Sequence, residues 1–383
     1  MEGENLKALL GMDLAQLSAL MEDFEEHSYR SRQLFESIYR HRVQSIEEIS
    51  TLPAGLRREL VSRGASIGWP RRERKFQSVD GTIRYLLSCP DDQTIEAVWM
   101  PEGDGGEIAD GSEAGAETVI RGHTGNRATI CVSSQAGCAV DCKFCLTALL
   151  GVKRNLSAGE IVGQVCSILE DHRVFPPLDR VNLVFMGMGE PFLNYDNFMK
   201  AVQLLVEGVG IPESRMTVST AGIVPRIYDF GLEQVRPKLA ISLNASNDQL
   251  RSRLMPINRK WNLARLLEAA RSFPLRARER LTFEYVLLDG VNDSLENARE
   301  VVELLRGVRA KVNLIALNPG PGVAFSTPKP ESVLAFQQLL IARGLPAFIR
   351  RPRGRDIYAA CGQLKRTVDL ATSEAVSSPG PES

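Results

Sequence analysis

No stretch of this chain approaches the roughly 20 unbroken apolar residues that a membrane-spanning helix needs, so no membrane span is expected. The opening residues, MEGENLKALLGMDL, carry neither a basic n-region nor an apolar h-region. They do not read as a secretory signal, and a cytoplasmic protein is expected. Histidine is scarce, with His27, His41, His123 and His172 and none between residues 173 and 383. A proton acceptor drawn from that stretch must be a carboxylate or a thiolate. The net charge of −1 argues against a surface coated in basic residues. Seven cysteines, an odd number in a long chain, do not form a secreted disulfide framework. Ligation, nucleophilic chemistry and core packing remain as their uses.

What is present is an ordinary globular composition, 44% hydrophobic and 24% charged over 383 residues, enough for one large domain and a smaller one. Residues 1–75 are rich in helix formers with heptad-like apolar spacing and predict a small N-terminal helical domain. Residues 76–127 predict an extended linking segment, with GTIRYLLSC and TIEAVWM paired across the turn PDDQ. It ends in a run from Glu102 to Ile120 with six acidic residues and no basic one, read as a mobile loop. Residues 128–371 alternate six apolar runs with amphipathic helices at 157–171, 195–209, 224–233, 262–273, 294–307 and 330–343. That alternation predicts an α/β fold with a parallel sheet curved as an incomplete (βα)6 barrel. Residues 372–383 have the composition of a disordered tail. Arg71, Arg72, Arg74 and Lys75 form one basic cluster, and Arg350, Arg351, Arg353 and Arg355 another. Both suit a solvated face, or phosphates if the fold brings them together.

In such barrels the working residues lie on loops at the C-terminal strand ends. The stretch GCAVDCKFC follows the first barrel strand and places Cys138, Cys142 and Cys145 in a Cys-x3-Cys-x2-Cys spacing. A structural zinc wants four nitrogen or sulfur ligands, and neither the other cysteines nor the histidines form a paired partner motif. A cubane iron–sulfur cluster is normally held by four cysteines, and three would leave one iron open to an exogenous ligand. The cluster reading ranks above zinc, and chance core cysteines rank last. Cys361, in AACGQL, is either a small packing residue or a thiol at a helix start, where the dipole and nearby arginines would favour the thiolate. Cys131, in TICVSS, has the pattern of an inward-facing strand residue. Glu96, in TIEAVWMP, has that of a solvent-facing strand residue. Cys89 and Cys166 belong to no motif and read as packing cysteines.

The cysteine spacing resembles that of radical S-adenosylmethionine (SAM) enzymes, and GMGEP resembles their motif for the methionine amino group. RATICVSSQAGCAVDCKFC, FMGMGEPFLN, VSTAGIVP, LMPINRKW, YVLLDGVND and RGRDIYAACGQL together resemble the RlmN/Cfr family of RNA adenosine methyltransferases over most of the chain. The resemblance implies one [4Fe-4S] cluster on Cys138, Cys142 and Cys145, with SAM chelating the open iron. It implies SAM contacts from Gly189, Glu190, Ser219, Ser242, Leu243, Asn244 and Asn318. Cys361 would accept a methyl group from one SAM. A radical from a second SAM would take hydrogen from that S-methyl group, and the carbon radical would add to adenine. Cys131 would then resolve the protein–RNA adduct by forming a disulfide with Cys361, and Glu96 would accept the ring proton. The implied substrates are 23S rRNA and tRNA, the latter at the adenine 3′ of the anticodon. Methylation at C2 is the favoured outcome and C8 the alternative; a noncatalytic zinc-containing RNA-binding protein is the rival of another class. An external electron donor such as flavodoxin and a monomeric enzyme complete the expectation. Asn244 departs from the family's common histidine, and asparagine cannot act as an acid–base switch.

Overall fold

The computed structural model describes residues 8–101 and 127–364. The acidic run expected as a mobile loop and the tail expected to be disordered lie outside the described residues.

The N-terminal part is helical, as its apolar spacing predicts. Helix α1 (Leu14–Asp23) starts at a capping box between Asp13 and Gln16 and buries Leu17, Leu20 and Met21. Helix α2 (Tyr29–Phe35) runs on into a π-helical turn that buries Ile38 and Tyr39, and α3 (Ala54–Ser62) buries Leu56 and Leu60. These side chains belong to the same apolar core as the barrel. Close backbone approach makes the join. A Cβ on Gly159 would lie 2.1 Å from the Leu10 carbonyl, and one on Gly208 would lie 2.7 Å from the Tyr39 side chain. The Tyr39 hydroxyl donates to Met12 O and accepts from Gly11 N–H, fixing the entry of α1.

Strands β1 (Arg71–Gln77), β2 (Ile83–Ser88) and β3 (Thr94–Pro101) form an antiparallel meander that feeds β4 (Arg127–Cys131). The boundary expected at residue 75 therefore falls inside β1. Arg71 to Lys75 are all exposed, so no apolar alternation marked the strand. A separate ribbon, β5 (Gln135–Gly137) with β6 (Val152–Asn155), follows β4, with the short helix α4 (Leu146–Leu149) in its loop. The chain then alternates: α5 (Ala158–Asp171), β7 (Arg180–Phe185), α6 (Tyr195–Leu204), β8 (Met216–Thr220), α7 (Val224–Leu232), β9 (Lys238–Ser242). It continues through α8 (Asp248–Leu254), α9 (Leu263–Ser272), β10 (Leu281–Leu287), α10 (Leu295–Leu304), β11 (Ala310–Ala316), α11 (Pro330–Ala342) and β12 (Ala347–Ile349).

The main sheet has the order β1-β2-β3-β4-β7-β8-β9-β10-β11-β12, parallel from β4 onward. All six expected barrel strands are present, joined by the three-residue β12. The sheet stays open, with β1 and β12 at its edges. The segment after β12 spans the gap. Arg350 N–H donates to Leu314 O beside β12, while Gly354 N–H donates to Asp80 and Ser78 Oγ to Asp356 at the β1–β2 turn. Residues 350–364 thus cross the mouth at which the C-terminal ends of the parallel strands gather.

Candidate active site

The loop after β4 is shaped by two glycines. Gly137 has φ +88°, and a Cβ there would lie 1.8 Å from Gly151 O. That contact and the Cys138 N–H···O Gly151 bond close the β5–β6 ribbon behind the three cysteines. Cys138, Cys142 and Cys145 are each partly buried against Val140, Phe144, Ala221, Leu254, Met255, Leu288 and Leu317. Burial, with the neighbouring thiols and Glu190, pushes Cys138 up to about 12 and Cys142 well above its ordinary value. As free thiols these two keep their protons, and a metal takes them as thiolates with proton release. Three sulfurs on one tetrahedral zinc, with bonds of about 2.3 Å, would sit about 3.8 Å apart. Among the described residues, three ligand atoms within 4.8 Å of one another occur at Cys89, Asp91 and Glu160 and not in this loop. Three soft thiol ligands in an apolar cradle fit an iron–sulfur cluster.

At Cys89, Asp91 and Glu160 a cation is already in place. Arg154 forks onto both Asp91 oxygens at 2.6 Å and onto Glu160 at 2.7 and 2.8 Å. The Arg154 hydrogen bonds hold Asp91 down at about 2. Glu160 also closes the capping box of α5 with Ser157. This cluster staples the β2–β3 turn to the ribbon, with Cys89 as a buried packing residue.

The remaining expected SAM contacts sit at successive strand ends. After β7, Gly189 has φ +97°, and a Cβ there would lie 2.6 Å from Gln135. Glu190 is buried; it accepts from Phe192 N–H at 3.0 Å and Ala221 N–H at 2.6 Å, while its own N–H donates to Gln135 Oε1. Burial pushes its carboxyl up to about 7 against the pull of those N–H groups. Ser219 on β8 and Ser242 on β9 bring their hydroxyls within 3.4 Å. Leu243 is fully buried. Asn244 has φ +55°, a conformation asparagine tolerates, and its Oδ1 accepts from Val286 N–H at 2.8 Å. Its side chain thereby braces β10. Asn318 lies buried just beyond β11.

Relatives of this arrangement are known. Residues 132–305 match the radical SAM superfamily, and residues 7–65 match the ribosomal RNA large subunit methyltransferase N-terminal domain. The chain is 65% identical to a probable dual-specificity RNA methyltransferase RlmN of Koribacter versatilis, over 91% of this chain and 98% of that one. It is 44% identical to the dual-specificity RNA methyltransferase RlmN of Campylobacter jejuni, over 88% and 92%. A crystal structure of a radical SAM methyltransferase from Sphaerobacter thermophilus superposes with a TM-score of 0.84 at 42% identity, over 94% of this chain and 99% of that one. The chain belongs to the RlmN family of radical SAM methyltransferases. It is an enzyme of that family, whose cofactors are a [4Fe-4S] cluster and SAM.

RlmN family membership gives the two outlying cysteines their interest. Cys131 ends β4 and packs with Val98, Val184, Met188, Ala359 and Leu364. Leu146 N–H donates to Gly362 O, and Thr147 Oγ1 to Leu364 O, both at 2.8 Å. Cys361 therefore stands between the three-cysteine loop and Cys131, and both outlying thiols are free. It does not begin a helix, as one reading of AACGQL supposed; it lies in a turn after the single helical turn Arg355–Ile357. The residue is exposed to solvent, yet enough protein crowds its thiol to desolvate it. Burial pushes its thiol up rather than down, with Arg350 opposing, and burial and Cys361 push Cys131 up to about 12.

Glu96 is not on a solvent face. It is fully buried and ion-paired with the buried Arg84. In the sheet register Leu86 pairs with Glu96, and Arg84 pairs with Val98, which pairs in turn with Cys131. Alternation then puts Arg84, Glu96 and Cys131 on one face of the sheet. Sequence reading missed two groups here. Glu284, which accepts from Asn313 Nδ2 at 2.9 Å, lies 3.6 Å from Arg350, and Arg251 ties several loops together. The one available signal was an arginine aligned with Leu254 on the apolar stripe of a short helix.

Proposed function

We propose that this enzyme methylates C2 of a specific adenine in 23S rRNA and of the adenine 3′ of the anticodon in tRNA, with the methyl group carried on Cys361. The observation that carries the reading is the station of Cys361, open to solvent between the cysteine loop and Cys131. Cys138, Cys142 and Cys145 would hold the cluster, which with SAM supplies the radical that an unactivated aromatic carbon requires. Glu190 would pair with the SAM ammonium, Gly189 would let the backbone approach, and Ser219, Ser242, Leu243, Asn244 and Asn318 would frame the rest. Glu96 would take the ring proton and Cys131 would resolve the adduct. The helical part up to about residue 75 would serve the RNA. The enzyme would act as a cytoplasmic monomer fed by an external donor such as flavodoxin.

Nucleosides from reacted RNA should contain 2-methyladenosine, resolved from the 8-methyl isomer by chromatography and mass spectrometry. The 8-methyl isomer alone would move the chain to the C8 branch. Replacing all three loop cysteines by alanine should remove the brown colour and all reductive formation of 5′-deoxyadenosine. Continued formation would refute the cluster assignment.

Glu190 adds a pH dependence. Without ligand it titrates near 7, above its unfolded value, so it favours the protonated form in the fold. An ammonium partner needs the carboxylate, so binding SAM releases a proton and affinity falls as pH drops through about 7. The expected slope below that point is about tenfold per pH unit. Equilibrium dialysis between pH 6 and 7.5 should show it in the native enzyme and not in Glu190→Gln. A flat profile for both would remove Glu190 from the ammonium site.

A further inference from the structure

Arg251 is the largest fully buried side chain in the described structure. It lies on α8, whose C-terminal carbonyl at Leu254 accepts from Lys143 N–H of the cysteine loop at 2.9 Å. Its donors go to uncharged acceptors. Nε reaches Leu243 O at 3.1 Å and Nη1 reaches Asn258 Oδ1 at 3.0 Å, while Nη2 reaches Ala221 O at 2.7 Å and Ser242 O at 2.9 Å. Among the described residues no carboxylate lies within ion-pairing distance of it. The nearest acidic influence, Asp248, acts at longer range and points its Oδ1 at Asn258 Nδ2 and Leu263 N–H. A buried cation without an anion is costly, so such groups are paired or face a charge that arrives later. Ala221, whose carbonyl Arg251 holds, and Leu254, three residues further along α8, both line the apolar cradle that partly buries Cys138, Cys142 and Cys145. One peptide away is Glu190, because Ala221 gives its N–H to Glu190 and its carbonyl to Arg251.

We infer that Arg251 is a positioning residue whose fixed charge, lodged behind the three-cysteine loop, also raises the reduction potential of the cluster held there. The inference rests on the reading that Cys138, Cys142 and Cys145 hold that cluster. Three thiolates and an added electron make the reduced centre more negative than the oxidised one. A nearby positive charge in a water-poor setting therefore favours the reduced form. The fork to Ala221 O and Ser242 O meanwhile holds the ends of β8 and β9, the two strands that carry Ser219 and Ser242.

The test uses the full-length, cluster-loaded enzyme and two variants, with the cluster titrated potentiometrically and read by electron paramagnetic resonance. Arg251→Gln removes the charge. At the poise that half-reduces the native cluster, its reduced-to-oxidised ratio should fall about tenfold, which is about 59 mV for one electron. Arg251→Lys keeps the charge and loses the fork. It should titrate close to the native enzyme while its KM for SAM rises several-fold. A native potential in Arg251→Gln overturns the inference. So does a lysine variant shifted as far as the glutamine one, which would assign the effect to lost hydrogen bonds. If glutamine at 251 prevents iron uptake, the lysine variant decides: loading with an unshifted potential supports the charge, and a shifted potential refutes it. A native enzyme that binds no iron would instead refute the cysteine reading, taking this inference with it.

Discussion

Loss of Cys131 should leave the enzyme covalently attached to its RNA. Cys131 packs with Ala359 and Leu364, which flank Cys361 in the chain, and the turn bearing Cys361 is tied by hydrogen bonds to the cysteine loop. A carbon carried on the Cys361 sulfur and joined to adenine can be released only when a second thiol attacks that sulfur. Cys131 is the free cysteine within electrostatic reach of it on the far side from the loop. Cys131→Ala should therefore complete at most one addition per enzyme and accumulate a protein–RNA species that nuclease digestion shifts. Peptide mass spectrometry should find the residual nucleotide on the peptide containing Cys361. Cys361→Ala should give neither crosslink nor methylated RNA, because the carrier sulfur is missing. Cysteine is little larger than alanine and Cys361 is exposed, so neither change opens a large cavity, and unfolding should not mimic these results. If the two variants behave alike and neither crosslinks, Cys131 is a strand residue and the resolving role lies elsewhere.

Much of this arrangement was legible in the chain because it is written locally. Each barrel strand is a short apolar run followed by a helix with its own periodicity, and the cysteine loop lies within one eight-residue window. Strand β1 was not legible, since an edge strand of Arg, Glu and Lys has no buried face to print an alternation. Glu96 was misread as solvent-facing for the opposite reason: β3 is buried on both faces, as a strand inside a covered sheet is. The roles of Arg251 and Glu284 depend on partners from other strands and loops, which no local pattern specifies. Cys361 is the mixed case. Its motif marked it through family resemblance, yet its exposure and its turn conformation follow from residues 350–364 crossing an open sheet.

Glu96→Gln should weaken the fold and abolish methylation, and the two effects should separate when Arg84 is changed as well. The side chains of Arg84 and Glu96 are 2% and 0% exposed, and the guanidinium also stacks 4.2 Å from the centre of the Phe76 ring. Burial pulls Arg84 below its ordinary value, and Glu96 is what pushes it back. An amide at 96 leaves that buried cation facing a neutral group, a loss of about 3–5 kcal/mol in comparable buried pairs. Poor activity in the single variant would then say little about proton transfer. Arg84→Met with Glu96→Gln removes the buried cation as well and keeps an apolar side chain of similar length, so stability in urea should return to near the native value. If Glu96 accepts the ring proton, the stable double variant should still form no 2-methyladenosine. The Arg84→Met single variant is the converse, keeping the buried carboxylate but removing its ion pair with Arg84. Its carboxyl should then hold a proton to higher pH, shifting the methylation profile upward. Activity restored in the double variant would make the pair a structural brace and send the search for the proton acceptor to Glu284, a buried carboxylate that acts on Cys361.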